Sequence, residues 1–158
     1  MSKHLETWWQ TEIAKAARRN DGYARKVRLA NQKGFPDLYV VDAHLAVHNV
    51  WLIEVKLLGF KRLEHMLSDH LERKVPLASI QWIEINEIRQ AGGFVEVLVI
   101  LEAENAKVDE ARMGLIELPS LYGTPMVATA HNTSRFIRWG QLKRYQNTIS
   151  NLVQTKAR

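Results

Sequence analysis

The chain has 158 residues, 46% of them hydrophobic and 25% charged, which is the composition of an ordinary globular domain. It contains no cysteine, which excludes disulfides and thiolate metal sites. The apolar runs are too short to cross a bilayer, and the first residues lack the apolar stretch of a signal peptide, so we expect no membrane partner. The length predicts one domain over 1–158, with a core at about 4–101 and further strands and a helix at 113–154.

The positive charge of the chain is concentrated near the N-terminus. The formal net charge is +5, and seven cations lie between Lys15 and Lys33 against the single acid Asp21. Such a segment attracts phosphate groups, which favours a nucleic-acid partner. The alternative is a solvated helix face without a ligand.

The predicted elements alternate between helices and strands. A helix is predicted over 4–19 from an apolar stripe and ends near Gly22, and strands over 38–42 and 51–57 form a hairpin. The stripe consists of Leu5, Trp9, Ile13 and Ala16. Helical spacing recurs over 62–73, where one side carries Leu63, Met66, Leu67 and Leu71.

A firm helix is predicted over 79–90, with an inward side formed by Ile80, Ile83, Ile85 and Ile88. The apolar run 94–101 predicts a strand covered on both faces. Shorter strands at 113–118 and 136–139 precede a closing helix at 141–153. Together these elements predict an α/β domain with a central mixed sheet of four to five strands flanked by helices.

Two charged side chains occur inside the predicted strand 51–57. Because side chains alternate along a strand, Glu54 and Lys56 share one face, while their neighbours point into apolar packing. Burying these charges is unfavourable unless a partner satisfies them. They either pair with each other in an ordinary salt bridge or line a cleft that holds a metal ion.

Asp37 favours the metal site. It begins the first strand of the hairpin, directly after Pro36, and the hairpin brings it close to Glu54 and Lys56. Two converging carboxylates make a site suited to Mg²⁺, with Mn²⁺ able to substitute, and the carbonyl of Val55 adds a further ligand. The ion would polarise a phosphodiester and lower the pKa of a bound water. Lys56 would orient that water, lower its pKa further by its charge, or act as the base.

This arrangement resembles the PD-(D/E)XK nucleases, in which Pro-Asp, a hairpin and Glu-x-Lys follow one another. The longer run of Gly-Phe-Pro-Asp-Leu, Ile-Glu-Val-Lys, a glutamine helix and Gly92-Gly93 before a strand resembles the virus-type replication-repair nuclease (VRR-NUC) family. That family often shows Ser-x-x-Gln-x-x-Trp, whereas Gln81 and Trp82 are adjacent here. The resemblance covers roughly 4–101 and implies a restriction-endonuclease-like core and Mg²⁺-dependent cleavage of DNA, often branched or flapped.

The superfamily usually adds an acidic residue from the first helix, and two residues qualify. Glu6 begins Glu-Thr-Trp-Trp-Gln, which resembles the family pattern. Glu12 precedes Gly22 by ten residues, a spacing closer to that of the archaeal Holliday-junction resolvases. We favour Glu6 and expect the other to be a solvated helix residue. Gln81 either touches the metal-bound water or a phosphate, or bonds to backbone at the helix start.

The remaining expectations concern partners. Lys61 and Arg62 follow the catalytic strand, and the basic segment precedes Asp37, so both are predicted to contact phosphates. The basic segment supplies Arg25, Lys26, Arg28 and Lys33. Trp139 lies between cations, but a core position is favoured over base stacking, and His65 and His70 are too far apart for a zinc helix.

The expected protein is a structure-selective DNA endonuclease acting in phage or bacterial recombination, repair or replication. The absence of cysteine favours a cytosolic setting, which for such a nuclease would be the cytoplasm of a bacterium or of a phage-infected host. A homodimer is possible, as junction resolvases cut two strands symmetrically. The alternative is a noncatalytic nucleic-acid-binding domain that retains the nuclease fold.

Overall fold

A computed structural model describes residues 4–19, 22–27, 34–41, 50–118 and 136–143, together with Leu152. Its helices are α1 (Glu6–Arg19), α2 (Leu63–Asp69), α3 (Ser79–Gln90) and α4 (Trp139–Leu142). Its strands are β1 (Tyr23–Lys26), β2 (Leu38–Val41), β3 (Val50–Phe60), β4 (Val95–Ala103), β5 (Arg112–Leu115) and β6 (Ile137–Arg138). Short 3₁₀ turns follow α2 at His70–Glu72 and precede β5 at Val108–Glu110.

The strands form one mixed sheet in the order β1-β2-β3-β4-β5-β6. All neighbours are antiparallel except β3 and β4, which are parallel because the chain crosses back through α2 and α3 between them. The predicted α/β fold with a helix-flanked sheet is therefore confirmed, and the sheet has six described strands. The additional strand is β1, whose only buried residue is Ala24, so its charged outer face concealed the strand pattern.

Each face of the sheet packs against its own pair of helices. On one face, α1 and α4 cover odd-numbered residues of β3 such as Ile53 and Val55. On the other face, α2 and α3 cover even-numbered residues such as Leu58 and Phe60. All nine residues of β4 are buried, as predicted for a strand covered on both sides.

Helix α1 agrees with the predicted boundaries but not with the whole predicted stripe. Trp9, Ile13 and Ala16 are buried, whereas Leu5 precedes the helix and is 74% exposed. After the helix, the N–H of Gly22 donates to the carbonyl of Ala17, at 2.9 Å. A Cβ on Gly22 would lie 2.8 Å from that carbonyl oxygen, so glycine is required here by close approach.

Helix α3 occupies the predicted range, but its buried side is rotated. Trp82 and Ile85 are its buried residues, whereas Ile80 and Ile83 are exposed, contrary to prediction. The prediction placed the isoleucines inward, but the larger side chain of Trp82 determines which side of α3 faces the sheet. Ile83 lies about 100° around the helix from Trp82 and so points away from the sheet. In the segment 62–73 that showed helical spacing, α2 is short, and of the residues on its apolar side Met66 is buried whereas Leu67 and Leu71 are exposed.

The C-terminal elements are described in part. The predicted strands at 113–118 and 136–139 correspond to β5 and β6, whereas most of the predicted closing helix at 141–153 lies outside the described residues. Trp139 is buried in the α1 face of the sheet, as favoured by the sequence. Among the described residues, no helix is long and apolar enough to span a membrane.

Candidate active site

The middle of β3 carries two buried charged residues. Glu54 is 2% exposed and Lys56 is 7% exposed, and both point to the face covered by α2 and α3. The Lys56 ammonium nitrogen lies 3.4 Å from Oε1 of Glu54. The predicted strand geometry is therefore observed, and the two charges lie together in an otherwise apolar layer.

Asp37 lies opposite Glu54, at the point where β2 begins. Leu38 pairs with Ile53 in the antiparallel ladder, which places the preceding residue of β2 beside the following residue of β3. The approach to Asp37 is fixed by Gly34, which has a φ of +83° and packs against the first turn of α3. A Cβ at Gly34 would lie 2.7 Å from the Ile80 carbonyl oxygen. This close contact holds the start of β2 beside α3.

Gln81 makes the backbone bond weighed for it from the sequence and also contacts Glu54, whereas its contact with a metal-bound water or a phosphate stays a prediction. Its Oε1 accepts the backbone N–H of Ala78 at 2.9 Å, which supports the first turn of α3. Its Nε2 donates to Oε1 of Glu54 at 2.7 Å. Because its amide is held at both ends, Gln81 fixes the orientation of the buried carboxylate.

The remaining oxygen of Glu54 is unusual. Oε2 is buried and has no hydrogen-bond partner among the described residues. Burial and, next, the charge of Asp37 raise the pKa of Glu54 to about 8, against the opposing attraction of Lys56. The glutamate side chain therefore holds a proton near neutral pH, and a cation placed at Oε2 would displace that proton.

Burial also raises the pKa of Asp37, although the Val55 N–H and the Lys56 charge act in the opposite direction. Asp37 and Glu54 interact directly, so they titrate as a pair in which one carboxylate hinders ionisation of the other. Such a pair has the electrostatic character expected of a cation site or an acid–base site.

Along the edge of β3 that faces β2, carboxylate side chains accept backbone N–H groups beyond the last residue that pairs with β2. Within the described residues, β2 pairs with β3 only as far as Ile53. Farther along, Oδ2 of Asp37 accepts the N–H of Val55 at 2.8 Å, and Oε2 of Glu6 accepts the N–H of Leu57 at 3.0 Å. The N–H and C=O of one strand residue leave the same edge, so the Val55 carbonyl points between these two carboxylates.

Of the two candidate glutamates on α1, only one contacts this edge of β3. Glu6 reaches the site edge from the first turn of α1. Glu12 instead lies 3.5 Å from Lys15 on the same helix, in an ordinary surface pair. The geometry therefore favours Glu6 as the additional acidic residue and gives Glu12 the solvated role.

A second buried carboxylate, missed from the sequence, anchors the start of α1. Glu102 of β4 is 2% exposed, and its two oxygens contact the backbone N–H of His4 at 2.8 Å and its ring Nδ1 at 2.5 Å. The His4 ring stacks on Trp8 with a centroid separation of 3.7 Å. These contacts join residues 98 positions apart, and no local sequence pattern signals them.

The oxygen ligands at this site are of the type that a hard cation prefers, but they are few. Among the described residues, no group of three or more histidine, cysteine, aspartate or glutamate side chains is arranged to hold a metal ion. The available donors are Asp37, Glu54 and the Val55 carbonyl, with Glu6 at the same edge, and all supply oxygen, which Mg²⁺ prefers. The partnerless Oε2 of Glu54 is the observation that fits a bound cation.

The cations predicted to contact phosphates differ in their distance from this site. Lys26 pairs with Leu38 in the sheet, one residue from Asp37, and its ammonium donates to the carbonyl of Thr7 at 3.2 Å. The Arg25 guanidinium stacks over the ring of Tyr23 at 4.7 Å on the exposed face of β1. Exposed cations also follow β3, at Lys61 and Arg62. Arg28 and Lys33 lie outside the described residues.

No protein-family model matches the chain, and a search of curated proteins finds no match to it.

Proposed function

We propose that the protein is a metal-dependent endonuclease of the PD-(D/E)XK type that hydrolyses phosphodiester bonds in DNA. The observation that carries this proposal is the cluster of Asp37, Glu54 and Lys56, in which the last two are buried and one Glu54 oxygen lacks a partner among the described residues. A salt bridge that served only to stabilise the fold would not require a second carboxylate beside the first.

Asp37, Glu54 and the Val55 carbonyl would hold Mg²⁺, with Glu6 in reach of the same edge. When bound, the ion supplies charge stabilisation at the phosphodiester and a water of lowered pKa. Gln81 keeps the Glu54 carboxylate in one orientation, and the N–H of Val55 does the same for Asp37. The residues are therefore held in place before any ligand arrives, which is what an electrostatic catalyst requires.

Lys56 has the role of placing a positive charge beside the reacting water. Its ammonium is nearly buried and lies close to Glu54, so its position is restricted. It would orient the attacking water by hydrogen bonding and stabilise the negative charge that develops on the phosphate oxygens. A neutral side chain of similar length in its place would leave the carboxylates but remove this function.

DNA is proposed as the substrate because basic residues lie near the start of β2 and after the end of β3, where they would contact backbone phosphates without reading sequence. Lys26 adjoins the start of β2, and Lys61 follows the end of β3. Because the resemblance to the VRR-NUC family implies branched or flapped DNA, we propose selection by DNA structure.

The decisive experiment incubates the protein with labelled linear, flapped and four-way branched DNA in Mg²⁺ or Mn²⁺. Asp37→Asn and Glu54→Gln are the test variants, and Glu12→Gln is the matched control on the surface. We expect cleavage by the wild type and the control only. Calorimetric titration with Mn²⁺ provides a second readout, because the test variants should lose binding whether or not the right DNA has been chosen.

Absence of cleavage on every DNA, together with absence of Mn²⁺ binding, would contradict the enzyme proposal. If salt-sensitive DNA binding persisted in that case, the result would support the noncatalytic nucleic-acid-binding domain. A wild type that neither cleaves nor binds DNA would contradict both.

A further inference from the structure

The edge of β3 that carries the carboxylate contacts continues to the end of the strand. Even-numbered residues of β3 bond towards β4, as shown by the bonds from Leu52 N–H to the Phe94 carbonyl and from Glu104 N–H to the Phe60 carbonyl. Odd-numbered residues therefore face the other edge. The carbonyl of Gly59 leaves on the same edge as the N–H groups of Val55 and Leu57.

Arg73 occupies the last position on this edge. Its guanidinium donates to the Gly59 carbonyl at 3.1 Å and lies over the ring of Phe60, 4.7 Å from the centroid. These two contacts restrict the side chain while leaving further N–H donors of the guanidinium available. The arginine is thus held in place at the end of the carboxylate-lined edge.

A cleft opens beside this arginine, which we name the β3-end cleft. It has a volume of about 420 Å³ and is lined by Gly59, Phe60, Lys61, His65, Asp69 and Arg73. Lys61 and His65 are exposed and add further donors on its walls. Arginine with lysine is a suitable pair for a phosphate, because the guanidinium offers a planar fork and the ammonium a compact charge.

The cleft lies at a defined distance from the candidate active site. At roughly 3.3 Å per strand residue, Gly59 lies about 13 Å beyond Val55 along the same edge. At about 3.4 Å of axial rise per nucleotide, that distance corresponds to about four nucleotides of a stacked strand. A strand cut beside Asp37 could therefore present another phosphate to Arg73.

We propose that the β3-end cleft binds a backbone phosphate of the strand being cut, about four nucleotides from the scissile bond. This proposal rests on the proposed function and adds a specific phosphate subsite to it. Lys61 and Arg73 attract the phosphate, and Asp69 opposes it. Asp69 allows a test in the opposite direction, because its removal should strengthen DNA binding.

The test measures binding of fluorescein-labelled single-stranded and duplex DNA by anisotropy in EDTA, where no cleavage occurs. Arg73→Gln and Lys61→Gln should each weaken binding roughly threefold to tenfold and reduce the salt slope by about 0.7 to 0.9. Asp69→Asn should strengthen binding about twofold to fivefold, because one repulsive charge is removed. Arg89→Gln is the matched control and should match the wild type, because Arg89 lies in the last turn of α3, just before the start of β4, at the opposite end of the parallel pair from Gly59.

Two further measurements distinguish loss of the phosphate subsite from loss of folding and from failure of the proposed function. Thermal unfolding checks that the variants are folded, and Lys61→Gln provides a second test should Arg73→Gln be unstable. With DNA that is cleaved, both variants should raise KM more than they lower kcat, because the contact forms before the chemical step.

If the wild type binds DNA while Lys61→Gln and Arg73→Gln keep its affinity and salt slope, the cleft proposal is overturned and the proposed function stands. Weaker binding by Asp69→Asn would also overturn it. A wild type without DNA affinity overturns the cleft proposal together with the proposed function.

Discussion

Two buried glutamates on adjacent parallel strands have opposite surroundings. Glu102 of β4 and Glu54 of β3 are each 2% exposed. The first has both oxygens occupied by His4, whose ring is itself stacked on Trp8. The second shares one oxygen between Gln81 and Lys56 and leaves the other without a partner.

The difference teaches which buried charge serves the fold and which serves the proposed chemistry. A carboxylate with both oxygens bonded stabilises the contact between distant parts of the chain. A carboxylate with one buried oxygen unsatisfied destabilises the protein, so its retention needs another explanation. The proposed cation would supply that explanation at Glu54, whereas Glu102 already has its partner.

The largest expected effect is the loss of cleavage when Asp37 or Glu54 is altered. Asp37→Asn and Glu54→Gln remove charged oxygen donors without changing side-chain size, so we expect about 10³-fold or greater loss of kcat on the best DNA. Glu102→Gln, the matched change at the satisfied glutamate, should retain activity within about tenfold of the wild type. Equal losses at both glutamates would remove the distinction between them.

The pH dependence of stability should report the raised pKa of Glu54. The pKa of Glu54 is raised to about 8 in the folded protein from 4.5, so the folded state binds more protons than the unfolded state between these values. The free energy of unfolding of the metal-free protein should therefore fall as pH rises from about 4.5 through 8, by a few kcal/mol in total. Chemical denaturation at several pH values measures this decline.

Glu54→Gln is the control for that measurement, because it resembles the protonated side chain at every pH. It should flatten the decline and be more stable than the wild type above pH 8. Mn²⁺ should stabilise the wild type most at high pH, where the carboxylate is ionised, and the variant little. A wild type whose stability rises steadily across this range would contradict the raised pKa.

Breaking the satisfied pair should mainly affect stability. Glu102→Ala leaves the His4 N–H and ring without their buried partner, so we expect a loss of about 2 to 3 kcal/mol in urea unfolding. The start of α1 should also loosen, which weakens the contact between Glu6 and Leu57. His4→Ala should cause a smaller loss, and a stability equal to the wild type in both variants would show that this anchor is unimportant.

The smallest effect should come from the turn that delivers Asp37. Gly34→Ala introduces a side chain at a φ of +83°, where the left-handed conformation costs about 1 to 2 kcal/mol, and it presses on Ile80. A shift of α3 would move Gln81 away from Glu54, so we expect about tenfold lower kcat. Gly92→Ala also has positive φ but open space around it, so it controls for backbone strain alone.

The sequence predicts the parts of the site that follow strand periodicity. Glu54 and Lys56 share a face because side chains alternate, and Asp37 lies opposite because a hairpin sets the register. The α/β fold follows similarly from alternating apolar patterns. These features are local, so two neighbouring segments contain enough information to predict them.

Other features depend on contacts between distant segments. The bond between His4 and Glu102 and the role of Arg73 at Gly59 require the completed sheet, so neither segment signals them alone. The inward side of α3 depends on which large side chain fits the layer beneath it, and Trp82 prevails over the isoleucines. Strand β1 was hidden because three of its four residues are not buried.

The carboxylate contacts along β3 turn two peptide groups into reporters. The Val55 and Leu57 amide protons are held by Asp37 and Glu6 rather than by a neighbouring strand. Their exchange with deuterated solvent and their NMR chemical shifts therefore follow the position and charge of those side chains. Spectroscopists can thus titrate the protein with protons or a cation and observe each carboxylate separately, before any substrate has been identified.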